Sequence, residues 1–306
     1  MDSRTRFTLP IALVIATLAV STASIFIRFA QAGGAPSLVI AALRITFATL
    51  MIAPVALTRH LDEIKRFTRT EFLLGVFSGI FLAAHFAAWI TSLEYTSVAS
   101  SVVFVATGPL WVALLSPILL KEHLSRTAII GLILAVIGGA IIGLADACVL
   151  ENGLVCPALG DILQGRAVWG NFLALAGAWA VTGYLIIGRK LRAGTSLVPY
   201  IFLVYGMAAI TLVIIMFVSG STPFGYKPST YGWIFLLAAI PQLIGHTTYN
   251  WTLKYLTATM VAVTVLGEPI GSATLAYFFL NETPSLATIA GGVLILAGIF
   301  VTSRGR

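Results

Sequence analysis

Charge is what this chain has least of. Only 9% of its 306 residues are Asp, Glu, Lys or Arg, against about 25% in a soluble globular domain. That shortage excludes an ordinary soluble enzyme or a charged, solvated binding module. Cysteine is nearly absent too. The two present, Cys148 and Cys156, and four histidines cannot supply a Cys/His metal cluster of the usual spacing. There is no Gly-x-Ser-x-Gly elbow and no P-loop, so no catalytic residue, resident metal or cofactor is expected, and no ATP-driven step within the chain.

What is present in excess is apolar sequence, 59% of all residues. A stretch of about 20 apolar residues crosses a bilayer as a helix. Ten such stretches can be read, at 9–30, 36–57, 71–91, 97–120, 125–145, 168–188, 196–218, 231–252, 256–280 and 285–303. The first has no small-residue cleavage site and reads as a retained helix rather than a signal peptide.

The net charge of +7 is spread unevenly. With the N-terminus in the cytoplasm, the inner connections hold Arg59, Lys65, Arg66, Arg69, Lys121, Arg189, Lys190, Arg192 and Lys254, while the outer ones hold only Arg166 and Lys227. The positive-inside rule then places both termini in the cytoplasm. Topology accounts for the basic residues, and no nucleic-acid partner is expected.

The chain also repeats itself. Tyr95, Pro109, Glu122, Ser125 and Gly131 recur as Tyr255, Pro269, Glu282, Ser285 and Gly291, each 160 residues later without a gap. Chance readily aligns Val with Val or Leu with Leu, but not Pro, Glu and Tyr in one register. Five helices is an odd number, so a second copy enters the membrane upside down. Charges agree: Glu94 corresponds to Lys254 and Lys121 to Asn281, which moves the basic residue to the cytoplasmic side in each copy. The expected fold is therefore all-α and integral to the membrane, with ten transmembrane helices in two inverted five-helix repeats. Residues 1–145 form the first repeat and 168–306 the second. The connection 146–167 lies outside, where an oxidising compartment permits a disulfide between Cys148 and Cys156.

Polar groups inside apolar spans are costly and mark candidate sites. Gln242, His246 and Asn250 lie at i, i+4 and i+8, one face of a regular α-helix. His85 and Trp89 are likewise four apart. His85 and His246 are 161 apart, one off the repeat register, which predicts a one-residue slip between the third and eighth spans. Glu268, in Gly-Glu-Pro, is the one carboxylate placed deep in a span. Such a group can bind and release protons or meet a cationic substrate moiety, or simply cap carbonyls loosened by Pro269 or pair with Arg44. Its counterpart in the first copy is Gly108. Pro109 and Pro269 each remove a backbone hydrogen bond and predict kinks, static or hinged. Arg44, in the second span, is expected to pair structurally with a carboxylate or to snorkel, and Arg28 to snorkel from a helix end. Glu122 and Glu282 read as structural features at the starts of the helices that follow them. Trp111, Trp179 and Tyr184 are candidates to line an apolar pocket, or else core and interfacial aromatics. Glycines at 131, 138, 139, 143, 291, 292 and 298 predict close helix contacts, within a monomer or between the protomers of a homodimer.

Two stretches carry a family resemblance: LEYTSVASSVVFVATGPLWVALLSPILLKEHLSRTAIIGLILAVIGG and LKYLTATMVAVTVLGEPIGSATLAYFFLNETPSLATIAGGVLILAGI. A Tyr-Thr-Ser-like turn, a proline, a helix-ending Glu and a Gly-rich last helix, in both halves, resemble the EamA family of the drug/metabolite transporter superfamily. ALRITFA around Arg44 is similar to that family's second helix. The resemblance implies export of small metabolites, often amino acids or related compounds, across a prokaryotic cytoplasmic (inner) membrane. It also implies a central cavity lined by spans that include those of His85, Trp89, His246, Asn250 and Glu268. Here Val20-Ser21-Thr22 stand where the family often has a tryptophan. The first span has no acid, unlike the small multidrug relatives that couple protons through one. The functions to be weighed are a transporter using alternating access, with proton coupling as an option, an uncoupled facilitator or pore, a lipid or amphiphile flippase, and a membrane enzyme acting on lipid.

Overall fold

The structure, a computed structural model, describes residues 3–119, 126–147, 149–150, 154–155, 165–256, 261, 264–265 and 267–304. Helices make up nearly all of it. In chain order they are α1 (Ser3–Ser21), α2 (Ala23–Ala32), α3 (Ser37–Arg59), α4 (Leu61–Lys65), α5 (Arg69–Ser92), α6 (Val98–Val105), α7 (Gly108–Leu119), α8 (Arg126–Ala147), α9 (Arg166–Arg192), α10 (Leu197–Val218), α11 (Pro228–Leu237), a π-helical segment (Ala238–His246), α12 (Thr247–Thr252), α13 (Gly267–Leu280) and α14 (Leu286–Arg304). Between α8 and α9, two-residue strands β1 (Val149–Leu150) and β2 (Leu154–Val155) pair antiparallel. Cys148, Cys156 and Glu122 lie outside the described residues.

Among the described residues, five helical stretches are long and apolar enough to cross a membrane: Thr8–Ala32, Ser37–Arg59, Arg69–Ser92, Arg166–Arg192 and Leu197–Val218. Apolar helices at Val98–Val112, Ile129–Ile142 and Leu286–Gly298 are shorter. The stretch 97–120, read from sequence as one span, is broken between α6 and α7. Pro109 is therefore the second residue of α7 and Pro269 the third of α13. Each starts a helix, where a missing N–H costs nothing, rather than bending one in its middle.

Helix ends recur in the 160-residue register. α3 begins at Ser37 and α10 at Leu197; α8 begins at Arg126 and α14 at Leu286; α2 ends at Ala32 and α9 at Arg192; α5 ends at Ser92 and α12 at Thr252. The turns that follow α5 and α12 are bonded alike. The amides of Glu94, Tyr95 and Thr96 donate to Thr91, Ser92 and Ser92, and those of Lys254, Tyr255 and Leu256 to Trp251, Thr252 and Thr252. Serines start α6 and α14: Ser97 Oγ accepts the Ser100 amide at 3.1 Å and Ser285 Oγ the Thr288 amide at 3.0 Å. A Thr68/Glu71 capping box opens α5.

Packing sets the layers. α5 lies against α9 and α10, α10 against α3, and α8 against α14. The main core runs through α2, α3, α5, α9, α10 and α11, with Val39, Ile45, Phe86, Val204 and Leu237 fully enclosed.

Acids at the helix ends tie distant segments together. Glu282 does not cap the helix after it, as its position suggested; Ser285 does that. Glu282 Oε2 instead accepts the Val98 amide at the start of α6, at 2.8 Å, and its Oε1 meets Arg28 Nη2 at 2.9 Å. Arg28, expected to snorkel, is held by this pair and by the Thr96 carbonyl at 3.1 Å. Glu94 caps α3 through the Ser37 amide at 3.2 Å and the Ser37 hydroxyl, and Glu63 caps α10 through the Ser196 amide at 2.8 Å. Glu282→Ala removes both a cap and a partly exposed ion pair. It should cost about 1–2 kcal/mol, read as a lower Tm in detergent, with non-additivity toward Arg28→Ala. Full additivity of the two would show that the pair contributes nothing.

Candidate functional site

A cavity of about 70 Å³ lies where α1, α5, α6, α7, α9, α12, α13 and the π-helical segment converge. Its wall is mostly apolar, from Val20, Val105, Ala106, Val181, Val261 and Val265, among others. The polar groups on it come from opposite parts of the chain: His85 and Trp89 on α5, Tyr184 on α9, His246 on the π segment, Tyr249 and Asn250 on α12, and Glu268 on α13. Gly108 and Glu268, which occupy the same place in the two copies, both line it.

His85 is buried, and its Nδ1 stands 2.9 Å from the Gly177 carbonyl oxygen. A carbonyl only accepts, so Nδ1 carries a proton and donates, which leaves Nε2 of the neutral ring as an acceptor. The imidazole stacks on Trp89 with centroids 5.8 Å apart and meets the His246 ring edge-on at 6.5 Å. Close approach of α9 to α5 makes this possible: a Cβ at Gly177 would sit 3.3 Å from Trp89 Cβ. Trp89 Nε1 is buried and has no hydrogen-bond acceptor among the described residues. The cavity wall therefore holds one acceptor and one donor on adjacent turns of α5.

Asn250 organises the opposite wall. Its Oδ1 accepts the Tyr184 hydroxyl at 2.6 Å, and its Nδ2 donates to Tyr205 Oη at 3.1 Å. Tyr205 Oη also lies 3.3 Å from Thr247 Oγ1. The Asn250 carbonyl accepts Arg192 Nε at 3.1 Å, and Arg189 donates to the Leu253 carbonyl. The basic end of α9, needed for topology, thus also satisfies carbonyls at the end of α12. Tyr249 Oη stands 2.9 Å from Thr17 Oγ1, which joins α12 to α1.

The structure separates the residues proposed from sequence. His85, Trp89, Tyr184, His246, Asn250 and Glu268 share the cavity with Pro109. Trp111 and Trp179 do not reach it. They pack edge-on at 5.3 Å, Trp111 donates to Thr107 Oγ1 at 3.1 Å, and Trp179 is 41% exposed on the outer surface of the bundle. Gln242 is fully buried but is also absent from the cavity wall. The π-helix changes the period: with i→i+5 bonding, residues four apart no longer stack on one face, so His246 and Asn250 line the cavity while Gln242 sits behind it, at the Tyr205 hydroxyl that Asn250 also reaches. The segment from Pro228 to Thr252 has one more residue than α5, and the wider turn absorbs it. Pro241, within that turn, has no N–H to give to a regular ladder.

Arg44 makes no direct ion pair among the described residues, but Glu268, the acid expected beside it, acts on it electrostatically. It is wholly buried, its guanidinium carbon lies 4.0 Å over the Phe86 ring, and no carboxylate among the described residues is within 4.0 Å. Residues that sequence reasoning passed over include Tyr249 and Thr17, whose hydroxyls meet between helices far apart in the chain, a relation no local pattern carries.

The sequence model of the EamA-like transporter family matches residues 9–144 and 168–304. The chain belongs to the EamA-like transporter family. It is an integral membrane protein. An uncharacterized transporter of Archaeoglobus fulgidus is 25% identical over 300 residues, covering 96% of this chain and 95% of its own. The pseudopaline exporter CntI of Pseudomonas aeruginosa is 28% identical over 233 residues, 76% of this chain and 74% of its own. A crystal structure with 18% identity superposes with a TM-score of 0.65 over 96% of both chains, a likeness of fold. Family and relatives are transporters rather than enzymes.

Proposed function

We propose that this chain is a secondary transporter that exports a small polar or amphipathic metabolite, such as an amino acid or related compound, across a prokaryotic cytoplasmic membrane by alternating access. The observation that carries the reading is the cavity itself. It is enclosed by helices from both copies of the repeat, and His85, Trp89, His246 and Glu268 face it from elements that can separate. The recurrent helix ends and the exchanged charges at Glu94/Lys254 support two inverted five-helix repeats with both termini inside. The two matches to the family model support boundaries near 1–145 and 168–306. Export as the direction leans on a relative whose name describes it as an exporter of pseudopaline.

A cavity of this size is small beside the about 300–1,000 Å³ usual for ligand sites. A substrate larger than a few water molecules then requires the two halves to move apart. The apolar wall would receive the hydrocarbon part of the substrate. His85 Nε2, Trp89 Nε1 and Glu268 would receive its polar groups.

The test is accumulation by the purified protein in proteoliposomes, offered labelled amino acids, amines and nucleosides with and without an imposed proton gradient. Transport against a concentration gradient supports the reading. Equilibration without accumulation under every ion gradient indicates a facilitator. Scrambling of labelled lipid with no soluble substrate moved indicates a flippase.

A further inference from the structure

One ion pair joins the two copies of the repeat. Arg28 on α2 belongs to the first copy, and Glu282, in the turn between α13 and α14, to the second. Nη2 and Oε1 stand 2.9 Å apart, and each side chain is 27% exposed, so water reaches the pair. Among the described residues it is the only contact of a lysine or arginine with a carboxylate within 4.0 Å. The same side chains hold a third element. Glu282 Oε2 accepts the Val98 amide at 2.8 Å and Arg28 Nη2 donates to the Thr96 carbonyl at 3.1 Å, which clasps the start of α6. Asn281, at φ 55°, turns the chain after α13 so that Glu282 reaches back, and asparagine tolerates that left-handed conformation.

All three elements lead to the central cavity. Val20 on its wall stands eight residues before Arg28, Val105 seven after Val98, and Glu268 fourteen before Glu282. α2 and α6 both pack on α13. At 1.5 Å per helical residue the pair lies about 10–20 Å from the cavity. Nothing equivalent can form at the other end of the repeat. Glu282 corresponds to Glu122 in the 160-residue register, but Arg28 corresponds to Gly188, where a Cβ would lie 2.6 Å from Tyr200 Oη.

We infer that Arg28 and Glu282 are the latch of an outer gate. The pair holds α2, α6 and the α13–α14 turn together across the exit from the cavity, and it parts when substrate leaves. The inference rests on the alternating-access reading above. Basic residues gather at the opposite helix ends, so this end faces outside. A pair in contact with water is weak enough to break thermally, and breaking it strands no charge in the interior. A cavity of about 200 Å³ borders Glu282, and Ala99, Ala273 and Ala276 on its wall leave space into which the turn can move. Because the latch exists at one end only, it biases the chain toward the form closed to the outside.

The experiment is cysteine labelling from outside. Val105→Cys is introduced into the full chain with Cys148→Ser and Cys156→Ser. Right-side-out membrane vesicles are then treated with trimethylammonium-ethyl methanethiosulfonate, which does not cross the bilayer. Arg28→Met should raise the labelling rate about fivefold, as loss of a partly exposed ion pair predicts. Glu282→Gln should raise it as well. Its amide oxygen still accepts the Val98 amide, which keeps the test available if Arg28→Met does not fold. The two variants change local charge in opposite directions, so a shared rise cannot come from attraction of the cationic reagent. Arg28→Lys keeps the pair and should label like the parent. A tie that only stabilises the fold would lower Tm and leave labelling unchanged. Equal labelling in the parent and in folded Arg28→Met or Glu282→Gln would overturn the latch. Labelling needs no substrate, so it decides the latch separately from the proteoliposome assay, where absence of accumulation counts against the transport reading alone.

Discussion

Glu268→Gln should abolish accumulation driven by an imposed pH gradient in proteoliposomes while leaving exchange of substrate at equal concentrations measurable. Glu94 is bonded to Ser37, Glu282 to Arg28 and Val98, Glu63 to Ser196, and Glu71 to Thr68, all at helix ends. Glu268 alone among them lines the central cavity, in the first turn of α13, with no cation within 4.0 Å among the described residues. A carboxyl so placed is neutral or charged according to what occupies the cavity, and that dependence is what proton coupling requires. Glutamine has the same shape and never carries charge. The variant should fold with nearly unchanged Tm, bind substrate, and lose only the drive. Glu268→Asp keeps the proton and withdraws it by one methylene, so coupling should persist at a reduced rate. Unchanged gradient-driven accumulation in Glu268→Gln would place the coupling group elsewhere, or show that another ion drives transport.

Much of this arrangement was legible in the sequence, for a physical reason. Residue types with narrow structural uses carried the signal. Glycine at a close contact and polar residues at turns each mark a backbone position, and helix ends recur at 160 residues with them, whereas Pro109 and Pro269, read as kinks within spans, stand at helix starts. The turn at Tyr95 and its copy at Tyr255 show this to the level of individual hydrogen bonds. Apolar residues carry no such information, and the break between α6 and α7 was invisible because Val, Phe and Ala continue across it.

The site was legible only in part. His85, Trp89, His246, Asn250 and Glu268 were found because a polar side chain in an apolar span demands an explanation. Gln242 was misplaced because an α-helical period was applied to a stretch whose hydrogen bonds run i→i+5. The 161-residue spacing of the histidines was the available hint, and Pro241 a second. Trp111 and Trp179 were misplaced for a different reason: an aromatic ring is as much at home against lipid as in a pocket. Partners such as Arg28 and Glu282, 254 residues apart, cannot be paired from sequence spacing at all. Arg44 was expected to have a carboxylate because a lone buried charge is so unfavourable. The structure keeps the charge over the Phe86 ring, with no direct ion pair among the described residues and Glu268 as the acid that acts on it electrostatically.

Gly138→Leu and Gly291→Leu should each prevent recovery of folded protein, and Gly138→Ala should cost about 1–3 kcal/mol. These glycines face one another where α8 crosses α14, the junction of the last helices of the two copies. A Cβ on Gly138 would lie 2.5 Å from the Gly291 carbonyl oxygen, and one on Gly291 would lie 2.6 Å from the Gly138 carbonyl oxygen. Both obstacles are backbone, so no side chain can turn aside to make room. Relief requires the helices to move apart, which gives up packing around Ile142 and Ile295. Neighbouring glycines supply the controls. A Cβ at Gly139 would meet only the Phe104 ring edge at 3.3 Å, and at Gly232 nothing lies within 4 Å. Gly139→Ala should therefore be mild, and Gly232→Ala should leave Tm unchanged or slightly raised. Size-exclusion profiles and unfolding midpoints in detergent read all five variants. Equal tolerance at Gly138 and Gly232 would show that α8 and α14 do not cross this closely, and that the glycines serve another purpose.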